Sequence, residues 1–473
     1  MALLSCQHYQ AALLLSALGD ALGWPQEFQR GKGLTGVRNF KTWRKRSGGK
    51  YWGYLDPIQA GEYSDDTQLM LALVRSIQPH GEFWPEHFAY LELPFWLHYE
   101  RGGGRATKQA AKNLLKHKTL WYDNRFGKQG RDYLMAGGNG AAMRTLPISL
   151  AFAHQLNDLL RHTLSHSLIT HGHPRGFIGA LVLACAHYQL IQNGKLGHRA
   201  LGHLIKQELP AFFQSRHNWP EELKLWWGHH PDDYLEACLE TINEVIDMLR
   251  LIPEFLTQHP AAYFERVGCL NRETKGSGTA TVAAAIFLYF QNQAQPIEAI
   301  YTAANLLGSD TDTIASMVGG LVGLETGEIT DPNIVLMLET LQDTKYLNIL
   351  GQYLYHLHDQ QNEPGFFEQL KPVKPNKVET LNMVLSWEMG LHEMFWDLLE
   401  NGDRVSHPAL GMGYLVKKDI FSIEQRPDYE ARIFKVRFDT GQSVYFHSRV
   451  AKESWEINQS LETLVRQELA LAG

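Results

Sequence analysis

Through the first three quarters of the chain, apolar residues recur at spacings of three and four, and strand-like alternation is scarce before residue 400. That period belongs to helices that bury one face, and it restricts this region to an all-α architecture. Leu69, Met70, Leu73, Val74 and Ile77 share one face after "SDDT"; Ile314, Met317, Val318, Leu321 and Val322 share one after "SDTDT". Leu13, Leu14, Ala17, Leu18, Ala21 and Leu22 predict an amphipathic first helix. "GFIGALVLACAHYQLI" and "GTATVAAAIFLYFQ" are instead rich in alanine and glycine. Small side chains let helices approach closely, which predicts two central helices packed on every side.

The pattern breaks near Gln361. "QNEPGFFEQLKPVKPNKVE" interrupts the helical period with prolines and reads as a linker or strap, and "LNMVLSWEMGLHEMFWDLLE" reads as a connecting helix. Beyond it, "GDRVSHPALGMGYLVKK", "ARIFKVRFDTG" and "SVYFHSRV" are short strands broken by turn residues, and "SWEINQSLETLVRQELALA" predicts a closing helix. The expected organisation is a helical domain over 1–360, a linker and connecting helix over 361–400, and a small β-barrel with a terminal helix over 401–473.

With 44% hydrophobic and 20% charged residues, the composition is that of an ordinary soluble globular protein. A net charge of −7 leaves no global footprint for nucleic acid. Cys6, Cys185, Cys238 and Cys269 lie far apart with no CxxC pair, which argues against a thiolate metal site or a disulfide framework and favours a reducing cytoplasm. The N-terminal "AALLLSALG" lacks a basic lead-in and runs directly into Asp20, so it reads as a helix rather than a signal core. No apolar run reaches the ~20 residues needed to cross a bilayer.

The two acidic clusters stand at helix starts. Ser, Thr and Asp are favoured N-caps, and the helix dipole stabilises acidic groups there. A cap needs one side-chain oxygen, whereas "SDDT" and "SDTDT" each supply two carboxylates plus hydroxyls. Carboxylates gathered in one place repel unless cations neutralise them, and hard divalent cations favour all-oxygen ligands. The two clusters together would hold two Mg²⁺ or Mn²⁺ ions in octahedral oxygen shells.

"GDALGWPQEF", "GEYSDDTQL", "GGNGAAMRTLPISL", "SLITHGHPRGFIGALVLACA" and "GSDTDTIASMVGGLVG" occur in the order found in the ADP-ribosylglycohydrolase family, which the chain resembles to about residue 330. The resemblance implies an all-helical fold around a binuclear Mg²⁺ or Mn²⁺ centre and hydrolysis of the C1″ bond of ADP-ribose. It implies Ser64, Asp65, Asp66, Asp310, Asp312 and Thr313 as metal ligands, with serine at position 64 where the family often has threonine. It places Glu27 at the glutamate that gates the site or protonates the leaving group, with a proton-accepting carboxylate among Asp65, Asp66 and Asp312. It lays the backbone of Gly138, Asn139 and Gly140 along the diphosphate and distal ribose, with His171 against the nucleotide. His173 is left without a role, and a zinc site at His171 and His173 lacks a third ligand. Asp20 reads as a structural residue hydrogen-bonding near the site.

In the tail, Gly402, Asp403, Val405, His407, Gly411 and Gly413, then Val436, Phe438, Asp439 and Gly441, resemble the Tudor-like module of superfamily-one repair helicases, with a longer insert at "KKDIFSIEQRPDYEA". The resemblance implies a small barrel that contacts protein or nucleic acid. "FKTWRKRSGGKYWGY" sets Lys41, Arg44, Lys45, Arg46 and Lys50 among Trp43, Tyr51, Trp52 and Tyr54, a pairing of cations and rings that also suits nucleic acid. Two other readings stay open at this point: an ADP-ribose-binding protein of weak activity, and a hydrolase of free nucleotide-sugar metabolites. The acceptor attached to ADP-ribose is not written in these motifs.

Overall fold

The computed structural model describes residues 4–116, 119–357, 377–392 and 395–452. These form two compact units that are discontinuous in sequence. The first draws on residues 4–41, 60–93 and 101–357; the second draws on 42–59, 94–100 and the described residues after 375.

The first unit is helical. Its spine is α1 (Cys6–Glu27), which is buried on every face from Ala11 to Trp24. The amphipathic expectation fails because this helix has neighbours all round: alanine, glycine and serine fill positions where a solvent face would carry charge. α1 lies against α5 (Thr311–Thr326) through glycines spaced by four on each helix. A β-carbon at Gly19 would stand 2.2 Å from the Ala315 carbonyl oxygen, and one at Gly319 would stand 2.0 Å from that of Leu15. Gly23 and Gly323 meet the opposite backbone in the same way. No larger side chain fits between the two helices, and the contact is backbone on backbone. Ser16 and Ser316 hydroxyls bond across it at 2.9 Å, and the Thr311 hydroxyl donates to the Gly23 carbonyl at 2.9 Å. This contact brings the start of α5 beside the last turns of α1.

Three more helices complete the frame: α2 (Asp65–Arg75), α3 (Pro174–Asn193) and α4 (Gly278–Gln291). Apart from their outer ends, α3 and α4 are buried on all sides, as their small-residue composition predicts. Two buried ion pairs brace the region around α2. Arg75 forks onto Glu92 at 2.8 and 2.7 Å, and Arg101 bonds Glu62 at 2.6 Å. Removing one partner from such a pair would leave an uncompensated buried charge.

The second unit joins a hairpin to a sheet. β1 (Trp43–Ser47) pairs antiparallel with β2 (Tyr54–Ile58), with Trp43 opposite Ile58 and Ser47 opposite Tyr54. β3 (Arg404–His407), β4 (Gly411–Ser422), β5 (Tyr429–Phe438) and β6 (Ser443–Ala451) form a four-stranded antiparallel meander in chain order, curled into a half-barrel. A bulge between Leu415 and Lys417 shifts the register on β4, and such bulges bend the bulged strand. The core of this unit is aromatic and drawn from three chain segments. Phe95 and Tyr99 meet His407 and Phe446, Trp396 meets Phe434, and Tyr54 stacks on Phe421. The helix Lys377–His392 supplies Trp387 to the same cluster. The linker and the closing helix expected from the sequence lie outside the described residues.

The stretch read as a basic aromatic loop is therefore this hairpin. Two of its rings are committed to packing: the Tyr54 hydroxyl bonds His447 Nδ1 at 2.8 Å, and Trp52 packs on Tyr429 beneath the Arg426 guanidinium. What remains outward is chiefly Arg44, Arg46, Lys50 and Tyr51. No described helix is long and apolar enough to cross a membrane.

Candidate active site

Asp20 sits where α1 passes the start of α2, fully buried. Its carboxylate accepts the Ser64 and Thr67 backbone N–H groups at 3.0 Å and the Thr67 hydroxyl at 2.6 Å. It thereby caps α2, as its structural reading predicts. At the same turn, Ser64 is the N-cap residue, and its Oγ accepts the Asp66 N–H at 3.2 Å. Capping thus uses the Asp20 carboxylate and the Ser64 hydroxyl, which also lies 3.3 Å from Asp66 Oδ2, and the cap itself needs neither the Asp65 nor the Asp66 carboxylate.

Carboxylate oxygens of Asp20, Asp66 and Asp312 lie within 4.8 Å of one another, all buried. Asp66 Oδ1 has no hydrogen-bond partner. Burial raises the proton affinity of Asp66 well above the ordinary carboxylate range, and the charges of Asp20, Asp65 and Asp310 push it further. Asp312 is raised by burial, then by Glu27, Asp310 and Asp66. Asp20 is raised by burial against the opposing hydrogen bonds from Thr67 and Ser64. The Thr313 side chain opposes the upward shift of Asp66, and Asp310, half-buried at the start of α5, accepts the Asn139 side-chain amide at 2.9 Å. A buried group of mutually repelling carboxylates, with one lone oxygen unsatisfied and hydroxyls at hand, fits a hard divalent cation. Of the six residues expected from the sequence to hold metal, Asp66 and Asp312 stand in this close cluster, and the third member is Asp20, which reads from the sequence as a structural residue; Asp65 and Asp310 stand near enough for their charges to act on Asp66.

The glycine loop closes the next wall. Asn139 N–H donates to the Gly276 carbonyl at 2.9 Å, Gly278 N–H donates to that of Gly137 at 3.0 Å, and Gly138 bridges Ser277. A β-carbon at Gly140 would fall 2.9 Å from His171 Cε1, so only glycine lets the loop lie against that ring. His171 is buried, with Nδ1 2.7 Å from the Thr170 hydroxyl. Burial and then the Arg144 charge push its pKa down to about 3, which keeps the ring neutral at physiological pH. His173 is the N-cap of α3, its Nδ1 accepting the Arg175 N–H at 3.1 Å.

Two residues in this wall were not legible as site residues. Arg144 is fully buried and holds the Gly140 carbonyl at 2.8 Å, the His166 carbonyl at 3.0 Å and the Thr170 hydroxyl at 2.7 Å. Burial depresses its pKa to about 9, with Asp65 opposing. Its signal was a lone arginine four residues after a glycine loop, inside an otherwise apolar run. Lys275 precedes Gly276 and Gly278 and reaches Glu27 Oε1 at 3.4 Å. "KGSG" before an apolar helix repeats the form of "GGNG", and that likeness was the available clue.

The buried acidic cluster, the glycine loop and the buried helical frame define a class: an all-helical fold with its candidate site at helix starts. The sequence profile of the ADP-ribosylglycohydrolase family matches residues 4–364, and the chain belongs to that family. An uncharacterized protein of Archaeoglobus fulgidus is 26% identical over 359 residues, covering 74% of this chain and 97% of its own. ADP-ribosylhydrolase ARH3 of Xenopus tropicalis is 25% identical over 357 residues, 71% of this chain and 92% of its own. The ADP-ribosyl-[dinitrogen reductase] glycohydrolase of Rhodospirillum rubrum is 32% identical over 181 residues, 38% of this chain and 56% of its own. A solved structure titled "ADP-ribosylglycohydrolase-related protein complex" is similar at a TM-score of 0.48 and 22% identity, over 75% of this chain and 98% of that one.

Proposed function

We propose that this protein is a divalent-metal-dependent hydrolase that releases ADP-ribose by cleaving its C1″ glycosidic bond. The observation that carries the reading is the convergence of Asp20, Asp66 and Asp312 within 4.8 Å, with an unsatisfied Asp66 oxygen, beside a glycine loop. Ser64, Asp65, Asp66, Asp310, Asp312 and Thr313 are the residues to hold two Mg²⁺ or Mn²⁺ ions. When bound, such ions neutralise the cluster and polarise oxygen ligands. The chain's own residues do the rest. Gly138, Asn139 and Gly140 seat the diphosphate and distal ribose against neutral His171, with Arg144 fixing the loop from below. Breaking the C1″ bond passes through an oxocarbenium-like state, to which water adds. One carboxylate of Asp65, Asp66 and Asp312 accepts that water's proton, and Glu27 protonates the departing acceptor.

The second unit is read as a Tudor-like module that contacts a partner. The four-stranded meander and its bulge support that likeness. With Trp52 and Tyr54 packed inward, the hairpin offers mainly charge, with Tyr51 its one strongly exposed ring, which favours an acidic protein segment over a run of stacked bases.

A panel of ADP-ribosylated serine and arginine peptides, end-modified DNA and RNA, and free ADP-ribosyl compounds, assayed with Mg²⁺ and Mn²⁺, tests the activity and names the acceptor. Release of ADP-ribose from at least one is expected. Tight ADP-ribose binding without release from any would replace the hydrolase reading with that of a binding protein.

A further inference from the structure

Glu27 occupies a position that works against a carboxylate twice over. It is the last residue of α1, where the helix dipole is negative and disfavours anions. It also stands beside the acidic cluster, where it is the foremost charge acting on Asp312. α1 carries no basic residue in its last turn to offset this.

The offsetting charge comes from Lys275, whose Nζ lies 3.4 Å from Glu27 Oε1, with both side chains about a third exposed. The lysine stands on a pinned backbone. Its N–H donates to the Asn271 carbonyl at 2.8 Å, the next carbonyl (Gly276) accepts Asn139 N–H at 2.9 Å, and Ser277 N–H returns to Thr274 at 2.9 Å. The Thr274 hydroxyl ties the same loop to Gly268 at 2.7 Å. Asn139 in turn holds Asp310 Oδ2 at 2.9 Å. One fixed loop therefore reaches both edges of the cluster, Asp310 through Asn139 and Glu27 through Lys275.

We propose that Lys275 is a positioning residue that holds the Glu27 carboxyl group over the reacting bond, its Nζ donating to Oε1 while Oε2 carries the proton to be delivered. The inference rests on the reading of Glu27 as the proton donor. An exposed pair of this length contributes little to stability, so its effect falls on geometry and rate.

Lys275→Ala, Lys275→Arg, Glu27→Gln and the Lys275→Ala/Glu27→Gln double variant are assayed on whichever ADP-ribosylated compound of the panel the wild-type protein turns over. ADP-ribose affinity is measured alongside by calorimetry with Mg²⁺ present. Lys275→Ala is expected to lower kcat by about tenfold to a hundredfold, the scale on which misplaced groups act, with ADP-ribose affinity within about twofold. Lys275→Arg restores most of the rate, and Lys275→Ala costs nothing further once Glu27 is glutamine. Full kcat in Lys275→Ala beside a slow Glu27→Gln overturns this proposal alone. So does an equal loss in the Glu27→Gln background. A Glu27→Gln protein as fast as the wild type removes Glu27 from the proposed mechanism and this inference with it.

Discussion

Replacing Asp312 by asparagine should abolish turnover and at the same time make the metal-free protein more stable. Asparagine keeps the shape and the oxygen that accepts Thr313 N–H at 2.9 Å, and removes only charge. Two unit charges 4.8 Å apart, the outer limit of this cluster, repel by about 3.5 kcal/mol at an effective dielectric constant of about 20. Protonation limits the total cost. A carboxylate with an unfolded pKa of about 3.9 can take up a proton at pH 7 for about 4 kcal/mol, so no single carboxylate destabilises by more than that. The expected gain is therefore about 2–4 kcal/mol at pH 7, which for a helical unit of this size raises Tm by roughly 3–5 °C. The sign follows from linkage. Asp312 has a raised folded pKa, so its favourable contribution is complete below its unfolded pKa and is lost as pH rises through the folded pKa. The asparagine variant should lead the wild type at pH 7 in EDTA and draw level near pH 4. Saturating Mg²⁺ should reverse the order, because only the wild type retains the full ligand set. Urea unfolding at both pH values, with and without metal, is the assay. Equal or lower stability of the variant in EDTA at pH 7, or a gain of the same size at pH 4, refutes the argument from repulsion.

Gly319→Ala should cost about 1–3 kcal/mol or more by urea unfolding, since the new methyl meets the Leu15 carbonyl, whereas Gly320→Ala, facing the movable Leu146 side chain, should cost less than about 1 kcal/mol. Equal costs would contradict the backbone contact between α1 and α5. Truncation after Asn401 should expose Trp52, Tyr54, Phe95 and Tyr99, whose partners lie in the removed strands, and the product should bind a hydrophobic dye; a soluble, dye-silent product would show a detachable second unit. His187 has a pKa depressed to about 3 by burial, so the unfolded chain binds its proton first and stability falls as pH drops from about 6.5 toward 3. His187→Gln should flatten that fall by about 1.4 kcal/mol per pH unit in acid unfolding titrations, and an unchanged slope would contradict a neutral buried ring.

The helical period and the five ordered motifs made the first unit legible, because the polar clusters and glycines stand directly before the apolar helices they begin. What escaped was the reason for the glycines. "GDALG" and "GGLVG" were motifs in the sequence, but that Gly19, Gly23, Gly319 and Gly323 face one another depends on two helices about 300 residues apart. Local pattern cannot announce such a contact, and the same contact removes the solvent face that α1 was expected to have. Arg144 and Lys275 escaped because a single cation has no periodicity; each acquires meaning only from the carbonyl or carboxylate that the fold brings to it. The hairpin misled for the opposite reason. Rings among cations look alike in sequence whether they face a ligand or their own sheet, and Trp52 and Tyr54 face the sheet.

The central claim is that two helix starts form one metal cage at which ADP-ribose is cleaved. The most direct measurement is an anomalous difference map, collected at the manganese edge, of crystals grown with Mn²⁺ and ADP-ribose. The account predicts two peaks ligated by Ser64, Asp65, Asp66, Asp310, Asp312 and Thr313, with the distal ribose beside them and the diphosphate along Gly138–Gly140. A map with no peak at these carboxylates, while ADP-ribose occupies the glycine loop, would contradict it.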